Sequence, residues 1–259
     1  MSTVPLPPQE LRFMREDDER FVRVGDESVE DLRKRAGLDE GSVVVDIGCG
    51  YGRLAHALLR WPEFRGRYIG LDILPKHIDW CARELAPLRD GFTFTCIDVK
   101  NDRYNPRGSV KGARVKLPVP SGSADVVAMF SVFTHLYPDD VVHYIAEVAR
   151  LLKADGKAYL TFLLLNDEWR ARAERDEPAY PLPHELTSFC RYMSADDPLH
   201  AIAYDEAWVQ DQLEGAGLSP TVEHGSWTGR EGSSSFQDTV VAEPAPRAQR
   251  ARGWLRRPR

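Results

Sequence analysis

The sequence predicts an α/β fold built on a seven-stranded, mostly parallel sheet, with helices on both faces and an antiparallel hairpin at its end. Three observations support this class. Strand-like apolar runs alternate with helix-like patterns from Val43 onward, which is typical of a parallel sheet. A glycine-rich turn follows the first of these strands directly. Finally, a Gly/Ser-rich segment joins the last two strands, which indicates a hairpin.

The first strand and its turn lie in residues 43–54, which read VVVDIGCGYGRL. Three β-branched residues run into Asp46, and glycines then recur at Gly48, Gly50 and Gly52. An amphipathic run at helical spacing begins at Leu54. This order predicts a buried strand, a glycine turn and a helix N-terminus, where a ligand can approach the bare backbone.

The spacing of the glycines distinguishes between cofactors. A dinucleotide turn needs a glycine where this chain has Arg53, and a phosphate-binding P-loop needs a Lys-Ser or Lys-Thr pair that is absent. The pattern D-x-G-x-G-x-G instead resembles motif I of the class I S-adenosylmethionine-dependent methyltransferases, whose fold is Rossmann-like. The resemblance covers residues 43–242. The alternative is a tight strand-to-helix connection that binds nothing.

Two further acids continue the resemblance. Asp72 ends a second strand at residues 67–73, and Asp98 ends a third at residues 92–99. In the family the first acid binds the ribose hydroxyls and the second approaches the adenine amino group. Asp72 could instead cap the helix that starts near Pro75. The resemblance implies S-adenosylmethionine as cofactor and the following cofactor-binding residues: Asp46, Gly48, Cys49, Gly50, Gly52, Asp72, Ile73, Asp98, Val99, Phe130 and Ser131.

The remaining elements follow from periodicity. We expect a helical segment in residues 1–40 and the main domain in residues 41–243, with insertions at residues 100–122 and 166–203. The second insertion has no clean period and is interpreted as a lid. Residues 244–259 form a basic tail that we expect to be disordered. Within the domain we expect strands at 124–132, 157–165, 218–226 and 236–242, and helices at 138–153 and 205–216.

His135, in the segment SVFTHL after the fourth strand, is the candidate catalytic residue. It follows a strand end where α/β sheets bind ligands, and an imidazole is mostly neutral at pH 7. The alternative is a structural histidine that lines the cofactor pocket or bonds to the backbone. His184 and His200, in the second insertion, are the reserve candidates. An Asn/Asp-Pro-Pro-Tyr/Phe motif is absent here, which disfavours methylation of nucleobases.

Composition excludes several function classes. The chain has 259 residues and a net charge of −6, although six arginines lie after Glu243. The rest of the chain is therefore acidic, and no nucleic-acid partner is expected. No apolar run reaches the length of about 18 residues that spans a membrane, and no secretory signal is present. The four cysteines form no C-x-x-C pair, so we expect no metal site and a cytoplasmic location.

These observations predict a methyltransferase that acts on a small-molecule acceptor, with oxygen favoured over nitrogen as the acceptor atom. A sugar or specialised-metabolite hydroxyl would suit this chemistry. The alternatives are a non-catalytic binding module on the same fold and a protein or peptide methyltransferase. An NAD-dependent oxidoreductase is disfavoured by Arg53 and by the lack of a second catalytic domain.

Overall fold

The computed structural model describes residues 4–13, 16–175 and 180–246. The described residues form thirteen strands, which run in chain order as follows: β1 (Val43–Ile47), β2 (Arg67–Asp72), β3 (Phe92–Cys96), β4 (Val99–Lys100), β5 (Val110–Lys111), β6 (Ala124–Met129), β7 (Leu152–Phe162), β8 (Leu164–Leu165), β9 (His184–Thr187), β10 (Cys190–Tyr192), β11 (Ile202–Asp205), β12 (Leu218–Glu223) and β13 (Asp238–Pro244).

The main sheet has seven strands in the order β3-β2-β1-β6-β7-β13-β12. The pairs from β3 to β7 are all parallel, and β13 runs antiparallel to both of its neighbours. This arrangement confirms the predicted sheet and its terminal hairpin. Because parallel strands share one carboxyl edge, the ends of β1, β2, β3 and β6 meet along a single crevice.

Helices cover both faces of this sheet, as predicted. On one face, α1 to α3 contribute buried side chains such as Leu32, Leu58 and Cys81 to a common apolar cluster. On the other face, α4 and α6 contribute residues such as Ile145 and Leu213. The helices are α1 (Asp18–Ala36), α2 (Arg53–Arg60), α3 (Pro75–Glu84), α4 (Pro138–Leu151), α5 (Asp167–Ala173) and α6 (Glu206–Gly215).

Several strand and helix boundaries differ from those expected, as the ends of β3, α4 and β7 show most clearly. Strand β3 ends at Cys96 because its partner β2 ends at Asp72, so Asp98 and Val99 lie beyond the sheet. Helix α4 ends at Leu151, and β7 starts at once, before the Asp-Gly pair that was expected to terminate the helix. The strand continues past that pair through an irregularity in its pairing with β6.

The insertion at residues 166–203 contains more regular structure than its sequence suggests. It includes α5, β9 and β10, and with β8 and β11 it builds a second sheet in the order β8-β11-β10-β9. These strands are too short for an alternation of apolar and polar residues to be recognised in the sequence. The chain before α1 contains only a short 3-10 helix at Gln9–Leu11 within the described residues. Most of the predicted tail, residues 247–259, lies outside the described residues.

Candidate active site

The three glycines of the turn after β1 have different surroundings: two are packed closely by neighbouring side chains and one is open. A Cβ atom on Gly48 would lie 2.3 Å from Cγ2 of Val132, and one on Gly52 would lie 2.7 Å from Cδ1 of Leu85. Both glycines also have positive φ, near 80°, so side chains are excluded twice over. At Gly50, by contrast, the nearest atom lies only at the 4.0 Å limit of contact. Gly50 therefore presents bare backbone to the crevice.

Asp72 ties this turn to the end of β2. Its Oδ2 accepts a hydrogen bond from the Gly50 amide at 2.7 Å, and its Oδ1 accepts one from the Leu74 amide at 2.9 Å. The residue is only 7% exposed, and burial raises the pKa of its carboxyl against the lowering effect of these two bonds. Asp72 thus ties the glycine turn to the chain that leads into α3.

Asp46 lies beneath the turn in the sheet. Its Oδ2 accepts a 2.6 Å hydrogen bond from the hydroxyl of Tyr68, and the residue is 3% exposed. Burial raises the pKa of its carboxyl to about 7, although the Tyr68 hydroxyl acts in the opposite direction. The structure therefore gives Asp46 a supporting position under the glycine turn.

The third predicted acid lies at the rim. Asp98 is exposed, and its Oδ2 accepts hydrogen bonds from the hydroxyl of Ser109 at 2.6 Å and from the Ser109 amide at 3.2 Å. These bonds lower the pKa of its carboxyl. Val99, by contrast, is buried in the main core. Both residues follow the carboxyl end of β3, but Asp98 is exposed to solvent whereas Val99 packs in the core.

Two more predicted residues flank the turn. Cys49 is buried, with its Sγ 3.8 Å from the carbonyl oxygen of Gly50. Burial raises the pKa of this thiol, so it stays protonated at neutral pH. Ile73 is half-buried and packs against the main core directly after Asp72.

The carboxyl end of β6 carries backbone strain. Ser131 has a φ of 56°, which is uncommon for a residue with a side chain. Its amide donates to Oγ1 of Thr161 at 2.7 Å, and its hydroxyl donates to Oε1 of Gln237 at 3.1 Å. Phe130 beside it contacts the ring of Tyr159. Strained residues of this kind concentrate at functional sites, and this one faces the same edge as the glycine turn.

His135 is half-buried in a 3-10 helix after β6. Its Nδ1 lies 2.8 Å from the carbonyl oxygen of Leu199, and because a carbonyl only accepts, Nδ1 carries the proton. In the neutral ring, Nε2 then holds a lone pair. Burial lowers the pKa of the imidazole, the hydrogen bond to Leu199 opposes this shift, and the nearby guanidinium of Arg103 lowers the pKa further. The side chain of Asn101 holds the His135 carbonyl at 2.9 Å.

An aromatic row links His135 to the glycine turn. The ring of Tyr104 contacts the ring of His135 at 5.4 Å, and the ring of Phe13 contacts that of Tyr104 at 6.0 Å. Phe13 also supplies the one atom within 4.0 Å of the Cβ position on Gly50. The sequence did not identify Phe13 or Tyr104 as parts of one site. No local pattern could have revealed them, because they meet only when the chain before α1 folds over the crevice.

A cavity of about 440 Å³ lies beside Tyr104, between the two insertions. Its lining carries three carboxylates and one guanidinium, and that guanidinium, on Arg103, already pairs with Asp197. The cavity is therefore acidic. The lining residues are Asp102, Arg103, Tyr104, Asp196 and Asp197. The reserve histidines, His184 and His200, do not line it; His184 stacks on Tyr192 instead.

Within residues 4–13, 16–175 and 180–246, no group of three or more His, Cys, Asp or Glu side chains is arranged to hold a metal ion. Among the same residues, no helix combines the length and the apolar character that a bilayer crossing requires.

Comparison with known proteins relates this chain to methyltransferases. Residues 45–160 match the family model described as a methyltransferase domain. Over 60 residues the chain is 38% identical to trans-aconitate 2-methyltransferase from Azoarcus sp. strain BH72. The matched segment is 22% of this chain and 23% of that protein. The chain thus matches less than a quarter of the length of this curated relative.

Two solved structures extend the comparison over most of the chain. A S-adenosylmethionine-dependent methyltransferase from Clostridium acetobutylicum superposes with a TM-score of 0.55 at 12% identity, covering 89% of this chain and 94% of that one. The 1,6-didemethyltoxoflavin-N1-methyltransferase from Burkholderia thailandensis, solved with S-adenosylhomocysteine, gives 0.51 at 15% identity, covering 88% and 80%. At such identities the likeness shows the fold. The described residues therefore have the fold of the S-adenosylmethionine-dependent methyltransferases, and residues 45–160 match the methyltransferase domain.

Proposed function

We propose that this protein transfers a methyl group from S-adenosylmethionine to a hydroxyl group of a small acceptor that is not an anion, with His135 as the general base. The observation that carries this proposal is the hydrogen bond between Nδ1 of His135 and the Leu199 carbonyl. It leaves the second ring nitrogen with a lone pair, and the ring contacts Tyr104, which lines the acidic cavity. A neutral, oriented imidazole is what an alcohol acceptor requires.

The residues of the crevice fit S-adenosylmethionine. Gly50 offers an open backbone edge, and Asp72 is a buried carboxylate at the end of β2, bonded to that same turn. We assign the ribose hydroxyls to Asp72 and the adenine edge to Asp98. The strained Ser131 and its neighbour Phe130 would border the methyl-bearing end of the cofactor, and the turn from Gly48 to Gly52 would hold its amino-acid part.

When bound, S-adenosylmethionine supplies an electrophilic methyl group on a sulfonium. The task left to the protein is to orient the acceptor and to remove its proton. Nε2 of His135 would take the hydroxyl proton as the oxygen–methyl bond forms and the sulfur–methyl bond breaks, with S-adenosylhomocysteine as the leaving group. The Leu199 carbonyl then stabilises the imidazolium through the proton on Nδ1, and Tyr104 limits the rotation of the ring.

The charges around the cavity disfavour an anionic acceptor. Asp102 and Asp196 would repel an anion, and the pairing of Arg103 with Asp197 leaves little positive charge to attract one. A tricarboxylate such as the one named for the Azoarcus relative is therefore disfavoured as a substrate here. A polyhydroxylated or phenolic small molecule is compatible with both the acidic lining and the volume of the cavity beside Tyr104.

The test is transfer of an isotope-labelled methyl group into a metabolite extract, followed by identification of the labelled product. We expect an O-methylated product that is not an anion, and we expect labelling to fall steeply with the His135→Gln variant. An N-methylated product formed equally well by that variant would overturn the assignment of the base. No labelled product, together with no binding of S-adenosylhomocysteine, would overturn the proposed function itself.

A further inference from the structure

Arg53 follows the glycine turn directly, and the site described above does not use it. It is the first residue of α2, and the described first turn of this helix contains no acid. Gly52 before it has no side chain with which to cap the helix. Because a cation at the start of a helix opposes the helix dipole, Arg53 needs a partner from another part of the chain.

That partner is Glu16, which lies two residues before α1. Its side chain is only 5% exposed, and its Oε2 accepts hydrogen bonds from Nη2 of Arg53 at 2.8 Å and from the hydroxyl of Tyr51 at 3.2 Å. Nη2 of Arg53 also donates to the oxygen of that hydroxyl at 3.0 Å. A buried carboxylate is stable only when it is paired and hydrogen-bonded in this way. The three side chains form a closed network, which we call the latch.

The latch is bonded to residues 4–13, which we call the strap. The Glu16 amide donates to the carbonyl of Phe13 at 3.3 Å. Arg12 is buried, with Nε donating to the Pro7 carbonyl at 2.8 Å and Nη1 donating to the Glu16 carbonyl at 3.1 Å. These bonds make the strap a compact segment whose position depends on that of Glu16.

Phe13 is the part of the strap that reaches the cofactor crevice. Its ring contacts the rings of Tyr51 at 5.5 Å and His77 at 5.4 Å, and it lies over the open side of Gly50. The side chain is 45% exposed, so little burial holds the ring itself in place. Its position therefore depends on the chain that carries it, and that chain is held by the latch.

We propose that the latch of Glu16, Tyr51 and Arg53 holds the strap as a cover over the bound S-adenosyl nucleoside, with Glu16 as a positioning residue. This inference rests on the proposed function, because it takes the crevice at Gly50 as the cofactor site. The closed strap slows dissociation of the ligand. Since coupling between two equilibria is reciprocal, the bound ligand also holds the strap closed.

Small changes of side chain open the latch. Glu16→Gln removes the charge that pairs with Arg53, and Arg53→Gln removes the cation. Phe13→Ala removes the ring of the cover and leaves all three latch residues in place. Glu27→Gln is the matched control, because it breaks the 2.7 Å ion pair of Glu27 with Arg23, an exposed pair within α1.

The first measurement is binding of S-adenosylhomocysteine to each full-length variant, by calorimetry for affinity and by stopped-flow tryptophan fluorescence for the dissociation rate. We expect Glu16→Gln and Arg53→Gln to bind about three- to tenfold more weakly than the wild type, the effect of losing one hydrogen bond. Most of this loss should be faster dissociation. Adding Phe13→Ala to Glu16→Gln should cost less than the sum of the two single losses, because both act through one ring. Glu27→Gln should bind like the wild type.

The second measurement is hydrogen–deuterium exchange of the strap with and without S-adenosylhomocysteine. In the wild type the ligand should slow exchange in residues 4–13. In the two latch variants, exchange there should be faster before the ligand is added, whereas exchange in β1 and β2 should not change. A merely structural role for Glu16 would instead raise exchange in these strands as well.

Several outcomes would overturn the inference. Unchanged or tighter binding by a folded Glu16→Gln protein is one, and exchange of the strap that ignores the ligand is another. Fully additive losses with Phe13→Ala would show that the latch does not act through that ring. If Glu16→Gln melts far below the wild type, Arg53→Gln, whose side chain is 35% exposed, decides the same question. If the wild type does not bind S-adenosylhomocysteine, the proposed function fails as well, whereas the other outcomes leave it standing.

Discussion

The amide of Gly50 donates a 2.7 Å hydrogen bond to Oδ2 of Asp72, and this bond joins the glycine turn of β1 to the carboxyl end of β2. The two residues are 22 positions apart in the chain and are brought together by the parallel pairing of their strands. A side chain that shapes the turn is therefore also the one proposed to hold the ribose. This double role makes Asp72 the most informative residue for tests of cofactor binding.

Asp72→Ala should weaken binding of S-adenosylhomocysteine by about 1.5–3 kcal/mol, the range for hydrogen bonds to a charged group. The measurement is calorimetric titration of the folded variant. Asp90→Asn, an exposed acid at the opposite edge of the sheet, is the control and should bind like the wild type. Unchanged affinity in a folded Asp72→Ala protein would remove the ribose assignment.

His135→Gln should reduce turnover on the true acceptor by about 10²- to 10⁴-fold, the usual contribution of a general base. Affinity for S-adenosylhomocysteine should stay within about twofold of the wild type, since the residue serves the acceptor. The control is His184→Gln, which changes a reserve histidine stacked on Tyr192 and should retain activity. If the His184 variant is the inactive one, the base has been assigned to the wrong residue.

The same base predicts a pH dependence. The pKa of His135 is lowered from its ordinary value near 6.5, first by burial, so the neutral ring persists below that pH. Turnover should therefore rise with pH through an apparent pKa below 6.5 and be level between pH 7 and 8. The profile of kcat/KM measures this pKa in the free enzyme. Persistence of the same acid limb in His135→Gln would assign it to another group.

Phe13→Ala should weaken cofactor binding by about 1 kcal/mol, because the ring covers the open side of Gly50 and contacts Tyr51 and Tyr104. The residue is 45% exposed, so its removal should leave the melting temperature nearly unchanged. Phe236→Ala provides a matched control, since Phe236 is 54% exposed and lies just before β13. Equal effects of the two variants on affinity would argue against a cover over the cofactor.

Asp46→Asn should stabilise the protein at high pH. Burial raises the pKa of Asp46 to about 7 in the folded state, against 3.8 for the free side chain. The folded state therefore keeps a proton that the unfolded state releases, and the contribution of this group to stability is present below pH 3.8 and lost as pH rises through 7. The asparagine variant avoids this loss, which amounts to at most about 4 kcal/mol. Denaturant unfolding of both proteins at pH 5 and pH 8 measures it, and a gap that does not widen with pH would contradict the assignment.

Asp238→Ala should destabilise the fold by about 3–5 kcal/mol, because it leaves several buried donors without an acceptor. The carboxylate accepts from the Leu164 amide at 2.7 Å, the Gly225 amide at 2.8 Å and Nε1 of Trp227 at 2.5 Å. It thereby connects the hairpin to the second sheet. Urea unfolding gives the value, with Asp211→Ala on the exposed side of α6 as the control. A cost below about 1 kcal/mol would show that water replaces these bonds.

Local patterns predicted most of the main sheet because its strands are short, apolar and separated by clear turn residues. The turn from Gly48 to Gly52 and the acids at the strand ends were likewise visible as motifs. The pattern failed where pairing determines structure. Strand β3 stops at Cys96 because its partner stops, and β7 begins at Leu152 because β6 offers a partner there.

The sequence by itself determined the fold class and the cofactor, because both depend on residues close together in the chain. The tertiary structure alone decided what surrounds the glycine turn and His135. Phe13 lies over Gly50 and contacts the ring of His77, and His135 bonds Leu199, which is 64 residues away. Such contacts arise from the packing of distant segments, and no local period or motif encodes them.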